Sequence, residues 1–204
     1  EALDMLTRSI EAADMIPGED VAISLDIAAS EFGKDGKYKL GLEGLELDGA
    51  GMIEMLGDWI GKYPIVSIED PLGEDDADAF RDFTTKFGDT VQIIGDDFLV
   101  TNAERIANAA DSGICNSALI KPNQAGTVTE TKAALDAARK AGWATVVSAR
   151  SGETEDVTIA HLAVGWDAGQ LKVGSFARSE RMAKWNEVLR IEESLVDRAR
   201  LAGA

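Results

Sequence analysis

Six apolar runs in the 204-residue sequence each end on or beside a side chain able to do chemistry: Asp26, Glu69, Asp96, Lys121, the pair Arg150 and Ser151, and Lys172. Mg²⁺ takes a few carboxylate oxygens and fills its remaining positions with water and substrate oxygens, so three carboxylates suit a hard divalent cation. The strings AISLD, IVSIED and QIIGDD all place an acid straight after a buried-looking run. Lys121 in LIKPNQAGT and Lys172 in GQLKVGS hold similar positions, where an ammonium is unexpected unless it faces a polar cavity. A neighbouring cation would make one of these lysines a usable base. Arg150 offers a planar fork for carboxylate or phosphate, and Ser151 with the backbone after it offers donors near a helix start. Any single acid could simply end a strand or cap the next helix. Their recurrence at strand ends points to a metal site with a base beside it.

These residues are spaced about 22 to 43 apart, roughly what a strand, a loop and a return helix consume before the next parallel strand. Helical periodicity runs through 2–13, 51–60, 76–87, 102–110, 129–141, 155–164 and about 178–200, and strands are expected at 21–26, 65–68, 91–94, 118–120, 144–147 and 170–173. A Gly- and Lys-rich excursion over 33–48 has room for a short hairpin around Tyr38. Thr101 with Glu104, and Thr127 with Glu130, have the spacing of a capping box. Such alternation gives parallel strands with crossover helices, in an open doubly wound sheet or a closed barrel. No Gly-x-Gly-x-x-Gly follows an expected strand, which argues against a dinucleotide fold. Chemistry at one strand end after another is the habit of a barrel, although these six strong strands fall short of the eight a barrel needs.

With 45% hydrophobic and 28% charged residues the chain can bury a sizeable core. Its formal charge of −17 disfavours nucleic acid and anionic membranes as partners. An anionic small molecule is accommodated only where cations are gathered or a metal is bound. No apolar stretch reaches the roughly 18 residues of a membrane span, and no N-terminal basic-plus-apolar signal stands at the start, so a cytoplasmic protein is expected. Cys115 is expected to be a buried, inert thiol, and His161, within IAHLAVG, to be a packing residue.

The strings SLDIAASEF, YPIVSIEDPL, IGDDFLVTN, LIKPNQAGTVTET, SGETEDVTIA and GQLKVGSFARSERMAKWNEVLRIEE, in this order, closely resemble the C-terminal barrel of the enolase family. The resemblance runs from the first helix to about Glu193. It implies an α/β fold, a TIM-type (β/α) barrel of the enolase kind, incomplete here with about six of the eight barrel strands. It also implies that Asp26, Glu69 and Asp96 hold a Mg²⁺ that grips the carboxylate of a phosphorylated small-molecule substrate. Lys121 would then remove the proton alpha to that carboxylate, Lys172 would bind it, and Arg150 and Ser151 would hold the phosphate. The implied reaction is the glycolytic dehydration of 2-phosphoglycerate to phosphoenolpyruvate, in a homodimer or higher homo-oligomer.

Two departures stand out. Where the family pattern reads Ser-His-Arg-Ser-Gly-Glu-Thr-Glu-Asp, this chain has Ala149 in place of the histidine. The family's N-terminal α+β domain and first two barrel strands, which supply the general-acid glutamate, the closing loops and a second Mg²⁺ site, are expected to lie outside residues 1–204. This segment is therefore expected to need them for full activity. A second reading is a catalytically degenerate enolase-like protein with a binding or assembly role, and a third keeps the proton abstraction but changes the substrate.

Overall fold

The computed structural model describes residues 1–202, in two units: Glu1–Phe98 with Asn108–Asn116, and Leu99–Ala107 with the chain from Ser117 onward. The chain runs α1 (Ala2–Ala12), β1 (Ile23–Asp26), β2 (Gly33–Lys34), β3 (Lys37–Leu40), β4 (Leu45–Asp48), α2 (Gly49–Lys62), β5 (Ile65–Glu69), α3 (Ala77–Phe87), β6 (Gln92–Gly95) and α4 (Ala103–Asp111). It continues through β7 (Ser117–Ile120), α5 (Pro122–Ala125), α6 (Val128–Lys140), β8 (Ala144–Ser148), α7 (Thr158–Gly165), β9 (Gly169–Lys172) and α8 (Ser179–Leu195).

In the first unit β1, β5 and β6 are parallel neighbours, with Asp26 opposite Glu69 and Glu69 opposite Ile94. Ile65, Ser67, Ile68 and Glu69 of β5 are buried while Val66 is exposed, so it is at its carboxyl end, Ser67 to Glu69, that the strand is buried without an in-out alternation, as parallel strands covered on both faces are. The excursion after β1 is larger than a hairpin. Strands β2, β3 and β4 form a three-stranded antiparallel sheet around Tyr38, whose side chain is fully buried. The Tyr38 hydroxyl donates to Asp76 Oδ2 (2.9 Å) and accepts from the Gly73 amide (3.0 Å), and the Asp35 amide donates to Asp75 Oδ2 (2.8 Å). These bonds pin the loop that follows Glu69. Asp48 caps α2 by accepting from the Gly51 amide at 2.9 Å. A Cβ on Gly49 would lie 2.5 Å from that of Ala79, so a glycine is needed where α2 starts against α3.

In the second unit β7, β8 and β9 are parallel neighbours, with Ile120 opposite Val147 and Ser148 opposite Lys172. All four residues of β7 are buried. Thr127 caps α6 as expected, its hydroxyl accepting from the Glu130 amide at 3.1 Å and donating to the Glu130 carboxylate at 2.7 Å.

Several expectations need correction. Thr101 does not cap α4. Asn102 does, its Oδ1 accepting from the Glu104 and Arg105 amides at 3.0 Å each. The seventh helix starts at Thr158 rather than 155, because Asp156 turns the chain by accepting the Thr158 amide at 2.8 Å. The last helix stops at Leu195 rather than about 200, where Val196 takes φ +51° and ψ −126°, outside the helical region. His161 is not packed inside: its side chain is 55% exposed, with Nε2 3.0 Å from Glu187 Oε1. Among the described residues no helix is long and apolar enough to cross a membrane.

Candidate active site

The carboxylates of the first unit stand at the carboxyl ends of its parallel strands. Beyond the register pair Asp26 and Glu69, the Ile27 amide donates to the Glu69 carbonyl (3.0 Å) and the Ala29 amide to the Asp70 carbonyl (3.2 Å). The ladder thus continues past the strand ends and fixes both acids. Asp96 follows Gly95, the last residue of β6. Glu69 and Asp96 are buried at 2% and 7% exposure, while Asp26 faces solvent.

Asp70 holds this rim together. It sits at φ +41°, a left-handed conformation that Asp tolerates better than most residues. Its Oδ1 accepts from the Asp96 amide at 2.9 Å and its Oδ2 from the Asp97 amide at 2.8 Å. Burial pushes the Asp70 carboxyl up to about 7, and the nearby charges of Asp96 and Asp97 add to that rise while the two amides oppose it. Asp70, Asp96 and Asp97 each bring a carboxylate oxygen within 4.8 Å of the others, a cluster that could hold a metal ion. Both oxygens of Asp70 are already taken by backbone amides, which makes it the brace of the rim. Only Asp96 belongs both to this cluster and to the trio Asp26, Glu69 and Asp96, and a donor set made only of oxygens fits Mg²⁺ rather than a metal that prefers thiolate or imidazole. Asp70 escaped the sequence reading, although its signal was there: the acids come in doublets, Glu69-Asp70 and Asp96-Asp97.

The cations belong to the second unit. Lys121 follows β7 at 8% exposure, with Pro122 as the first residue of the short helix after it. Lys172 ends β9 opposite Ser148, and the Ala149 amide donates to the Lys172 carbonyl at 2.9 Å. Lys121, Ala149 and Lys172 are therefore at the carboxyl ends of three neighbouring parallel strands, the face on which barrels build active sites. Arg150 and Ser151 are exposed on the turn beyond β8. That turn is anchored from behind. Glu153 Oε1 accepts from the Arg150 amide at 2.9 Å, and Glu153 Oε2 is ion-paired with Lys184 Nζ at 3.0 Å. The Lys184 side chain is wholly buried, and Nζ also donates to the carbonyls of Thr154 and, at 2.9 Å, Glu180. Nothing in SERMAKWNE sets this lysine apart from its charged neighbours. The structure thus brings Asp26, Glu69 and Asp96 to one set of strand ends and Lys121, Arg150, Ser151 and Lys172 to another.

Cys115 has no part in either set. It is buried at 3% exposure, and burial, with a contribution from Asp70, pushes its thiol well above the ordinary range, the opposite of what a nucleophile needs.

A family model described as "Enolase, C-terminal TIM barrel domain" matches residues 1–204. A protein named "Enolase" from Acidothermus cellulolyticus is 51% identical over 203 residues, which cover 100% of this chain and 47% of that protein. The chain spans about half the length of the curated relative it matches.

Proposed function

The chain belongs to the enolase family and to its TIM-type α/β barrel fold, and on that premise we propose that it is the catalytic-barrel portion of a Mg²⁺-dependent lyase that dehydrates 2-phosphoglycerate to phosphoenolpyruvate. The observation that carries this reading is the repeated placement of chemistry at the carboxyl ends of parallel strands: Asp26 and Glu69 in register, Asp96 next, then Lys121 and Lys172 on the strands of the second unit.

The chemical difficulty is the proton alpha to a carboxylate, whose removal builds a second negative charge on a group that already carries one. Mg²⁺, when bound, would supply positive charge at that carboxylate, and Asp26, Glu69 and Asp96 would hold it. Lys121 takes the proton, its amine becoming an ammonium. Lys172 offers a further cation to the substrate carboxylate, where preorganised charge is worth most. Arg150, with its planar fork, and Ser151, with its hydroxyl, hold the phosphate. The hydroxyl on the next carbon then leaves as water, with its proton from an acid that the family carries N-terminal to this segment. The substrate class is a phosphorylated small molecule, and the parent chain forms a homodimer or higher homo-oligomer.

The test is phosphoenolpyruvate formation by the full chain, meaning the full-length parent protein, followed by ultraviolet absorbance with and without Mg²⁺. Mg²⁺-dependent turnover is expected. No turnover above background, with Mg²⁺ affinity intact, sinks the enzyme reading. One observation favours the second reading, an enolase-like protein kept for binding or assembly: Ala149, buried at the end of β8, puts a methyl group where the family has an imidazole. Under the enzyme reading, Ala149→His improves affinity or rate for 2-phosphoglycerate. If it changes neither, that position has no role with the phosphate.

A further inference from the structure

Val100 and Thr101 take φ of +45° and +50°, two consecutive β-branched residues in the left-handed region, where such side chains are genuine outliers. Strain of this kind persists only where the surroundings over-determine it, and it gathers at functional positions. Thr101 is 3% exposed, and its hydroxyl is fully engaged. It accepts from the Lys121 amide at 2.9 Å and donates to Gln124 Oε1 at 2.6 Å, with the Leu119 carbonyl a second, longer acceptor at 3.4 Å. Gln124 closes the circuit, because its own amide donates to the Lys121 carbonyl at 3.0 Å. Pro122, with its fixed φ, stands directly behind. The peptide groups on both sides of the Lys121 Cα are thus tied to one another through the Thr101 hydroxyl and Gln124. This also explains why Thr101 leaves the helix cap to Asn102.

We propose that Thr101 is a positioning residue for Lys121: its strained backbone delivers a buried hydroxyl to the Lys121 amide, which fixes the direction in which the lysine side chain leaves the strand end. Thr101 acts on the reaction through the lysine. The inference rests on Lys121 being the base of the reading above, and it gives a function to backbone strain that the assigned site residues do not use.

Thr101→Val keeps the shape and the β-branch but removes the hydroxyl, and Thr101→Ser keeps the hydroxyl. In the full chain, Thr101→Val is expected to lower kcat about tenfold, since small misplacements of a reacting group cost factors of this order or more. KM for 2-phosphoglycerate is expected to stay within about twofold. Thr101→Ser restores kcat, and hydrogen exchange at the Lys121 amide speeds up in the Val variant but not in the Ser variant. Wild-type kcat in Thr101→Val overturns the proposal, as does a loss that Thr101→Ser does not restore. Should Thr101→Val fail to fold, Gln124→Met decides in its place by removing the acceptor of the same hydroxyl: a drop in kcat supports the proposal and an unchanged kcat overturns it. Absence of turnover in the wild type counts against the lysine's assignment as base. Amide exchange then judges the positioning, and equal protection at Lys121 in the wild type and Thr101→Val refutes it.

Discussion

Lys184→Met is the perturbation that most sharply tests how the turn bearing Arg150 and Ser151 is held. Methionine fills much of the same volume but removes the charge paired with Glu153 at 3.0 Å and the donor to the carbonyls of Thr154 and Glu180. Removing one partner of a buried pair costs about 3–5 kcal/mol. Glu153 keeps 21% side-chain exposure and can recover some hydration, so the lower end applies, about 3 kcal/mol. For a chain of this size that corresponds to a fall in Tm of roughly 6–12 °C. Glu153 also accepts the Arg150 amide, so losing its anchor loosens the turn, and KM for the phosphorylated substrate rises while kcat changes less. Adding Glu153→Gln to Lys184→Met removes the stranded charge and keeps an acceptor for Arg150, and should recover part of the lost stability. Thermal melts and steady-state kinetics on the wild type and the two variants decide the matter. A Lys184→Met protein melting within about 2 °C of wild type, with unchanged KM, refutes the reasoning.

Three further outcomes follow from the same geometry. Asp70→Asn replaces one acceptor oxygen by an amide NH₂, strands either the Asp96 or the Asp97 amide at about 1–3 kcal/mol, and is expected to weaken Mg²⁺ binding by about 10–100-fold; calorimetric titration giving wild-type affinity would contradict the bracing role. Tyr38→Phe removes the hydroxyl shared by Asp76 and the Gly73 amide and should cost about 1–3 kcal/mol in chemical denaturation, whereas an unchanged midpoint would mean that these bonds contribute nothing. Because burial and the Asp70 charge raise the Cys115 thiol, the folded protein carries less thiolate than the unfolded chain at any given pH, so maleimide labelling at neutral pH should track unfolding. Rapid labelling in native buffer would show the site to be open.

How much of this was legible in the sequence depended on whether the signal was local. The strand-end residues could be read because an apolar run followed by Asp, Glu or Lys is a contiguous pattern, and Asp26 and Glu69 do stand opposite each other in register. Thr101 reads as a cap because a hydroxyl three residues before Glu104 satisfies the capping pattern, while the competing claim on it comes from Lys121 and Gln124, some twenty residues away. The apolar neighbours of His161 in sequence suggest packing, but a helix has an outer face, and there it meets Glu187 of α8. The sequence marks Asp70 only by the acidic doublet it forms with Glu69, and Lys184 not at all, because their partners, a pair of backbone amides and a glutamate about thirty residues away, are set by the fold.

Proton abstraction by Lys121 is tested most directly by exchange of the C2 hydrogen of 2-phosphoglycerate with D₂O, followed by proton NMR in the presence of the full chain and Mg²⁺, since exchange reads the base without requiring the dehydration to finish. The wild type is expected to wash out the C2 signal and Lys121→Met to preserve it, with Mg²⁺ affinity unchanged in calorimetry. Exchange at the wild-type rate in Lys121→Met, or none in the Mg²⁺-bound wild type, would contradict the assignment on which the proposed mechanism rests.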